Sequence, residues 1–234
     1  FAISDGDNIQ YVEHFMKSNA NSWRSRLRGE VPIAWTCSPM LLDAAPQMLN
    51  YYYRTATDND VLIAGPSGAG YTDIQWWSAI PAGGRIDEKG NENLAKFAQL
   101  TDRYFRRTAF NFITIWDFCR DDQAQIFAKN IPSLVGFSVQ ERFSGQQGTQ
   151  IVNGTTPWFT THPRYDGNIP RVQNIIEGQI LEHFNKTMNN PAPGFMIPQI
   201  IAWEAGVTDI VKMARYFKDK YGDKVEFVRI DHLM

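Results

Sequence analysis

Acidic residues recur at one kind of place in this chain. Asp5 and Asp7, Asp117, Glu141, Glu204 and Asp231 each stand at or just beyond the carboxyl end of a short apolar run. A single acid there is accounted for by capping of a following helix. Caps alone do not account for all six. Brought together at one mouth, carboxyl groups can do acid–base chemistry. One stays protonated and donates to a leaving oxygen, while another is ionised and attacks carbon or activates water. Crowding drives their pKa values apart, which creates that division of labour.

Other candidate groups are weaker. Asp5-Gly6-Asp7-Asn8 lacks the glycine and glutamate spacing of an EF-hand, though a divalent metal held by Asp5 and Asp7 stays open. The four histidines contain no HxxxH or HExxH pair, which argues against zinc peptidases and zinc deacetylases. His162 and His232 follow strand ends and are candidates for substrate contact. His14 and His183 sit in helical patterns. Cys37 and Cys119 lack metal spacing and read as buried thiols, with a single disulfide as the alternative. Gly65 to Tyr71 follows an apolar run but lacks the GK[ST] ending of a phosphate loop, so no nucleotide or other cofactor is expected. Gly68 and Gly70 permit a tight loop that brings Tyr71 over a pocket. With 13% aromatic residues, the chain also has rings to spare for sugar stacking, Trp35 among them.

The elements that would position these groups are strands and helices in alternation. Apolar runs occupy 1–5, 31–35, 60–65, 111–117, 134–141, 157–161, 195–204 and 225–231. Helical patterns fall at 43–56, 91–107, 121–130, 170–188 and 207–221, the last ending at Gly222. Runs apolar on both faces, separated by helices, call for a parallel sheet covered by helices. With 234 residues, close to the roughly 250 of one (β/α)8 barrel, the expected fold is a (β/α)7-8 TIM-like barrel of parallel strands over residues 1–234. Its active site would lie at the strand carboxyl ends. The segments 65–92 and 142–156 fit that pattern less well.

Net charge of −2 and the lack of a basic stripe argue against nucleic acid as a partner. No window is apolar for long enough to span a membrane. Phe1 to Asp5 reads as a strand already under way, so the chain is expected to be a domain excised from a longer one.

Three stretches resemble a known family. Ser4 to Asn8 with Ile9-Gln10, Arg28-Gly29 through Pro39, and Gly65-Pro66-Ser67-Gly68-Ala69-Gly70-Tyr71 resemble the C-terminal domain of the GxGYxYP putative glycoside hydrolases. Phe227 to His232 is similar too. Asp73 and Ile74 depart from the second Tyr and the Pro of the motif. The resemblance implies a carbohydrate substrate, an N-terminal companion domain and a secreted, periplasmic or cell-surface location.

The expected function is therefore glycosidic-bond cleavage by a carboxylate pair drawn from Asp117, Glu141 and Glu204. Analogy with other barrel glycosidases selects Asp117 and Glu204, after the fourth and seventh runs. Asp5, Asp7, Trp35, Gly68, Gly70, Tyr71, His162, Asp231 and His232 would contact substrate. Two rivals remain: a non-catalytic carbohydrate-binding domain, and a metal-dependent esterase or phosphoesterase using Asp5 and Asp7.

Overall fold

A computed structural model describes residues 1–4, 9–77, 88–142, 148–187 and 194–232; the side chains of Trp76, Glu88, Asp117, Glu141 and Arg142 are outside that description. The fold is mixed α/β. Strands β1 (Ala2–Ser4), β2 (Ile33–Cys37), β3 (Asp60–Ala64), β4 (Phe112–Cys119), β5 (Gly136–Arg142), β6 (Thr149–Val152), β7 (Thr156–Thr160) and β8 (Gln199–Ile201) form one sheet in the order β6-β7-β5-β4-β3-β2-β1-β8. All pairings are parallel except β6 with β7.

Helices α1 (Leu41–Ala44), α2 (Pro46–Thr55), α3 (Glu88–Thr108), α4 (Asp121–Asn130), α5 (Ile169–Thr187) and α6 (Val207–Tyr221) intervene, with a π-helical segment at Tyr11–Met16. The boundaries of α4 and α6 match the sequence pattern. Gly222 closes α6 at φ 60°, a left-handed position suited to glycine. Pro46 opens α2, where its missing N–H costs nothing. Asp43, where the helical pattern in the sequence begins, accepts from Tyr104 Oη at 2.8 Å and Arg107 Nη2 at 3.2 Å.

The ladder is open, and it does not form the regular eight-stranded parallel barrel that the sequence suggested. Thr149–Val152 runs antiparallel on the edge, and its polar, half-exposed pattern carried no strand signal. The run 225–231 is not a strand: Ile230–His232 is a single 3-10 turn. Its apolar residues have another use. Ile230 packs with Ala2, Ala34, Val61, Ile63, Phe112, Phe159 and Ile197 in a core on the inner face of the sheet.

That inner core draws on strands from most of the sheet, so the sheet is strongly curled. The curl brings its far ends together. Gln140 on β5 reaches Gln199 on β8, and the segment after β7 bonds to β8 through His162 N to Ile197 O (3.1 Å), Gln199 N to Pro163 O (3.0 Å) and Asp166 N to Gln199 O (3.1 Å). A larger core, including Trp23, Trp35, Phe127, Phe137, Trp158 and Phe217, fills the space between the outer face and the helices. Cys37 and Cys119 are both buried thiols that form no disulfide, and burial pushes the Cys37 thiol up to about 12.

Candidate active site

Inward-facing positions change character along the strands. Near the amino ends they are apolar. Farther along they become Ser4, Thr36, Thr114, Ser138 and Gln140, joined by Gln199 at the first position of β8, all buried and none charged. Buried polar groups are costly unless they find partners, and these do. Thr36 Oγ1 donates to Ile3 O (3.0 Å), and Ser138 Oγ donates to Thr114 Oγ1 (3.1 Å). Gln140 Nε2 donates to Gln199 Oε1 (3.0 Å), and Gln199 Nε2 donates to Ser4 Oγ (3.1 Å). A small cavity opens above this chain, lined by Ser4, Pro66, Thr114, Trp116, Gln140, Tyr165 and Gln199.

Trp116 and Tyr165 are its two aromatic walls, and Tyr71 packs beside Trp116. Tyr71 meets Trp116 edge-on at 5.3 Å between centroids, and Trp116 meets Tyr165 at 6.2 Å. Tyr71 is 59% exposed. The glycine loop that carries it is bolted down. Ser38 Oγ and Met40 N both donate to Ala69 O at 3.0 Å, Ala69 N donates to Thr101 Oγ1 at 3.0 Å, and Thr72 N donates to Pro66 O at 2.9 Å. Gly68 sits at φ +136°, a conformation L side chains avoid. A Cβ on Gly70 would stand 2.9 Å from Met40 Sδ.

Tyr165 is presented by a second fixed loop. Its φ of +46° is unfavourable for a residue with a side chain and needs support from its surroundings. Asp166 supplies it. Its buried carboxylate accepts from Arg171 Nε (2.6 Å) and Nη2 (2.9 Å) and from Asn168 N (2.8 Å). The Arg171 hydrogen bonds outweigh desolvation and hold this carboxyl below the usual aspartate range. A depressed folded pKa contributes stability that is present above the unfolded value and lost as pH falls through the folded one. In urea titrations, the parent chain should therefore exceed Asp166→Asn near neutrality. That advantage should vanish as pH drops below the ordinary value of about 3.9.

Glu204 completes this corner. It is exposed, follows β8, and lies directly against Gly167; any Cβ at that glycine would overlap the Glu204 side chain. Arg171 is close enough to feel its charge.

The remaining expected residues divide three ways. Asp5 and Asp7 lie outside the described residues. The backbones of Asp117 and Glu141 belong to β4 and β5, Asp117 within the register shift between Ile115 and Phe118 and Glu141 opposite Phe118 just past it, but their side chains lie outside the described set. His162 follows β7 half-buried, its imidazole pKa lowered by burial, and it is not among the cavity-lining residues.

Three others are corrected in position. Trp35 points into the outer core, against Trp23 at 5.1 Å, with Nε1 donating to Asp60. Asp231 and His232 sit at the opposite, amino-terminal end. There Arg229 grips Asp231 through two hydrogen bonds and also donates to Asp58 O, just ahead of β3. Burial raises the Asp231 carboxyl, but Arg229 outweighs it and keeps it low.

Sequence reading missed Trp116, Tyr165, Gln140 and Gln199. The available signal was polar or aromatic residues at alternate positions, 114 and 116 or 138 and 140, within otherwise apolar strands.

The fold has solved counterparts. A "putative hydrolase" from Bacteroides thetaiotaomicron VPI-5482 matches 99% of this chain at 19% identity with a TM-score of 0.67. The chain spans 43% of that protein's length. A "putative polysaccharide deacetylase" from Mycobacterium smegmatis matches 99% of this chain and 88% of its own length, at 10% identity and a TM-score of 0.56. At these identities the likeness is one of fold. No curated protein matches the chain. The family model of the GxGYxYP putative glycoside hydrolase C-terminal domain covers residues 1–234, and the chain belongs to that family.

Proposed function

We propose that the curled sheet serves as a (β/α)-barrel-like scaffold for a carbohydrate-active hydrolase that cleaves glycosidic bonds with a carboxylate pair. The observation that carries this reading is the mouth itself. Trp116, flanked by Tyr71, and Tyr165 line a cavity whose other described walls are neutral and rich in hydroxyl and amide groups. Sugars present apolar C–H faces and a rim of neutral hydroxyls, and such a site answers both. Family membership supports the same substrate class.

In this mechanism Glu204 pairs with Asp117 or Glu141. One protonates the leaving glycosidic oxygen. The other attacks the anomeric carbon or activates water. Asp5 and Asp7 hold sugar hydroxyls. The longer protein supplies a companion domain and acts outside the cytoplasm.

Trp116→Ala tests the reading. Loss of one stacking ring should weaken glycan affinity by about 1–2 kcal/mol, a factor of roughly 5–30. The assay is calorimetry and reducing-end release on a polysaccharide panel. Binding without release by the parent chain would favour the binding-domain alternative. Neither binding nor release on any glycan would overturn the proposal. Release that persists after exhaustive chelation separates it from metal-dependent ester cleavage.

A further inference from the structure

The cavity beneath the aromatic rings is small. About 10 Å³ is open to the centre of a water molecule, room for one water-sized group and no sugar ring. Four of its walls are the buried polar side chains of Ser4, Thr114, Gln140 and Gln199, between 1% and 7% exposed. A ring stacked at Trp116 and Tyr165 would lie above it and could send only a short arm inward.

We infer that this cavity is a subsite for the hydroxymethyl arm of a hexopyranosyl unit, selecting hexosyl over pentosyl substrates; this rests on the carbohydrate reading above. The size matches: one carbon spans the mouth and one hydroxyl takes the place of one water. The chemistry also matches. Ser4 Oγ accepts from Gln199 Nε2, so its own proton is directed elsewhere, and the cavity it lines offers the place for an acceptor. An exocyclic hydroxyl accepts that proton and donates its own to an amide oxygen. A uronate carboxylate at the same carbon would enter a cavity whose described walls carry no cation, at a desolvation cost that nothing offsets.

The order of selectivity follows from what replaces the arm. In a pentosyl complex a water can occupy the cavity and satisfy the same side chains. Discrimination should therefore be about 10- to 30-fold, far below the value for a site left dry and unpaired.

Matched methyl pyranosides that differ only in the hydroxymethyl group provide the test: gluco with xylo, galacto with L-arabino, and manno with lyxo, in both anomers. Affinities are read by NMR titration of the intact chain. At least one hexoside should bind about tenfold or more tighter than its pentoside partner. In Gln199→Met, which replaces the amide that joins Gln140 to Ser4, that ratio should fall toward one. Equal affinity within every pair that binds would overturn the subsite while leaving the carbohydrate reading intact. An unchanged ratio in a folded Gln199→Met chain would overturn it as well. No binding of any pyranoside by a chain that binds a polysaccharide would overturn the subsite alone, and failure on polysaccharides as well would remove the carbohydrate reading with it. The comparison within the parent chain stands even if the variant fails to fold.

Discussion

Replacing Glu204 by Gln is expected to lower glycan turnover by about 10² to 10⁴-fold with little change in stability or affinity. The side chain is exposed, so the amide faces no burial cost. It keeps the carboxylate's shape and can still hydrogen-bond a hydroxyl, yet it neither ionises nor delivers a proton at useful pH. Both halves of the carboxylate mechanism fail with it. Gly167→Ala gives an independent reading of the same group. The new methyl overlaps the space that Glu204 occupies and must push the carboxylate away while leaving its chemistry whole. A displaced general acid or nucleophile loses rate because geometry governs transfer. The two variants should thus fall together in kcat and differ little from the parent in KM. Near-normal turnover in Glu204→Gln, measured by reducing-end release on an active preparation, would exclude Glu204 and leave Asp117 with Glu141. A binding domain has no turnover to lose, and there the substitution would change affinity by only about 1 kcal/mol.

Much of the fold was legible because helices announce their ends. Gly222 past α6 marks a boundary by backbone chemistry that tertiary packing does not override, whereas the 43–56 pattern ran through Pro46, the residue that opens α2. Strand identity was harder. The run 225–231 has strand-like apolar spacing, but that pattern serves equally for a segment that plugs the inner core through Ile230. Nothing in periodicity separates the two. Thr149–Val152 failed the opposite way: an edge strand with one exposed face needs little hydrophobicity.

The site was legible by residue type and less so by place. Tyr71, expected over the pocket, is not among the residues that line the cavity but packs edge-on against Trp116, which is one of them. Asp231 was misplaced because its run is not a strand. Trp35 was misplaced because alternate residues face opposite sides of a sheet, and position 35 faces out while 36 faces in. The same alternation, applied to Thr114, Ser138 and Gln140, identifies an inner polar layer that no motif describes.

Asp60→Ala should be the most destabilising single change at the opposite end of the sheet, costing about 3–5 kcal/mol. Asp60 is buried at the start of β3 and satisfies four donors: Trp35 Nε1 at 2.8 Å, Thr57 N and Thr57 Oγ1 at 2.7 Å each, and the Arg28 guanidinium. Arg28 is itself only 13% exposed and lies over the Trp23 ring at 4.4 Å, with Nη2 donating to Thr55 O at 2.7 Å. Removing the carboxylate leaves a buried cation and a buried indole N–H unpaired at once, which costs far more than the net worth of the pair. For a domain of this length each kcal/mol shifts Tm by about 2–4 °C, so calorimetry should show a fall of roughly 6–20 °C. Asp60→Asn should fall less, since one oxygen still accepts while the amide N–H₂ turns a donor toward donors. Below its lowered Tm the Asp60→Ala chain should bind glycan like the parent, because Trp35 and Arg28 act here as a structural clamp remote from the aromatic mouth. A glycan affinity that collapses in a folded Asp60→Ala chain would return Trp35 to the binding site.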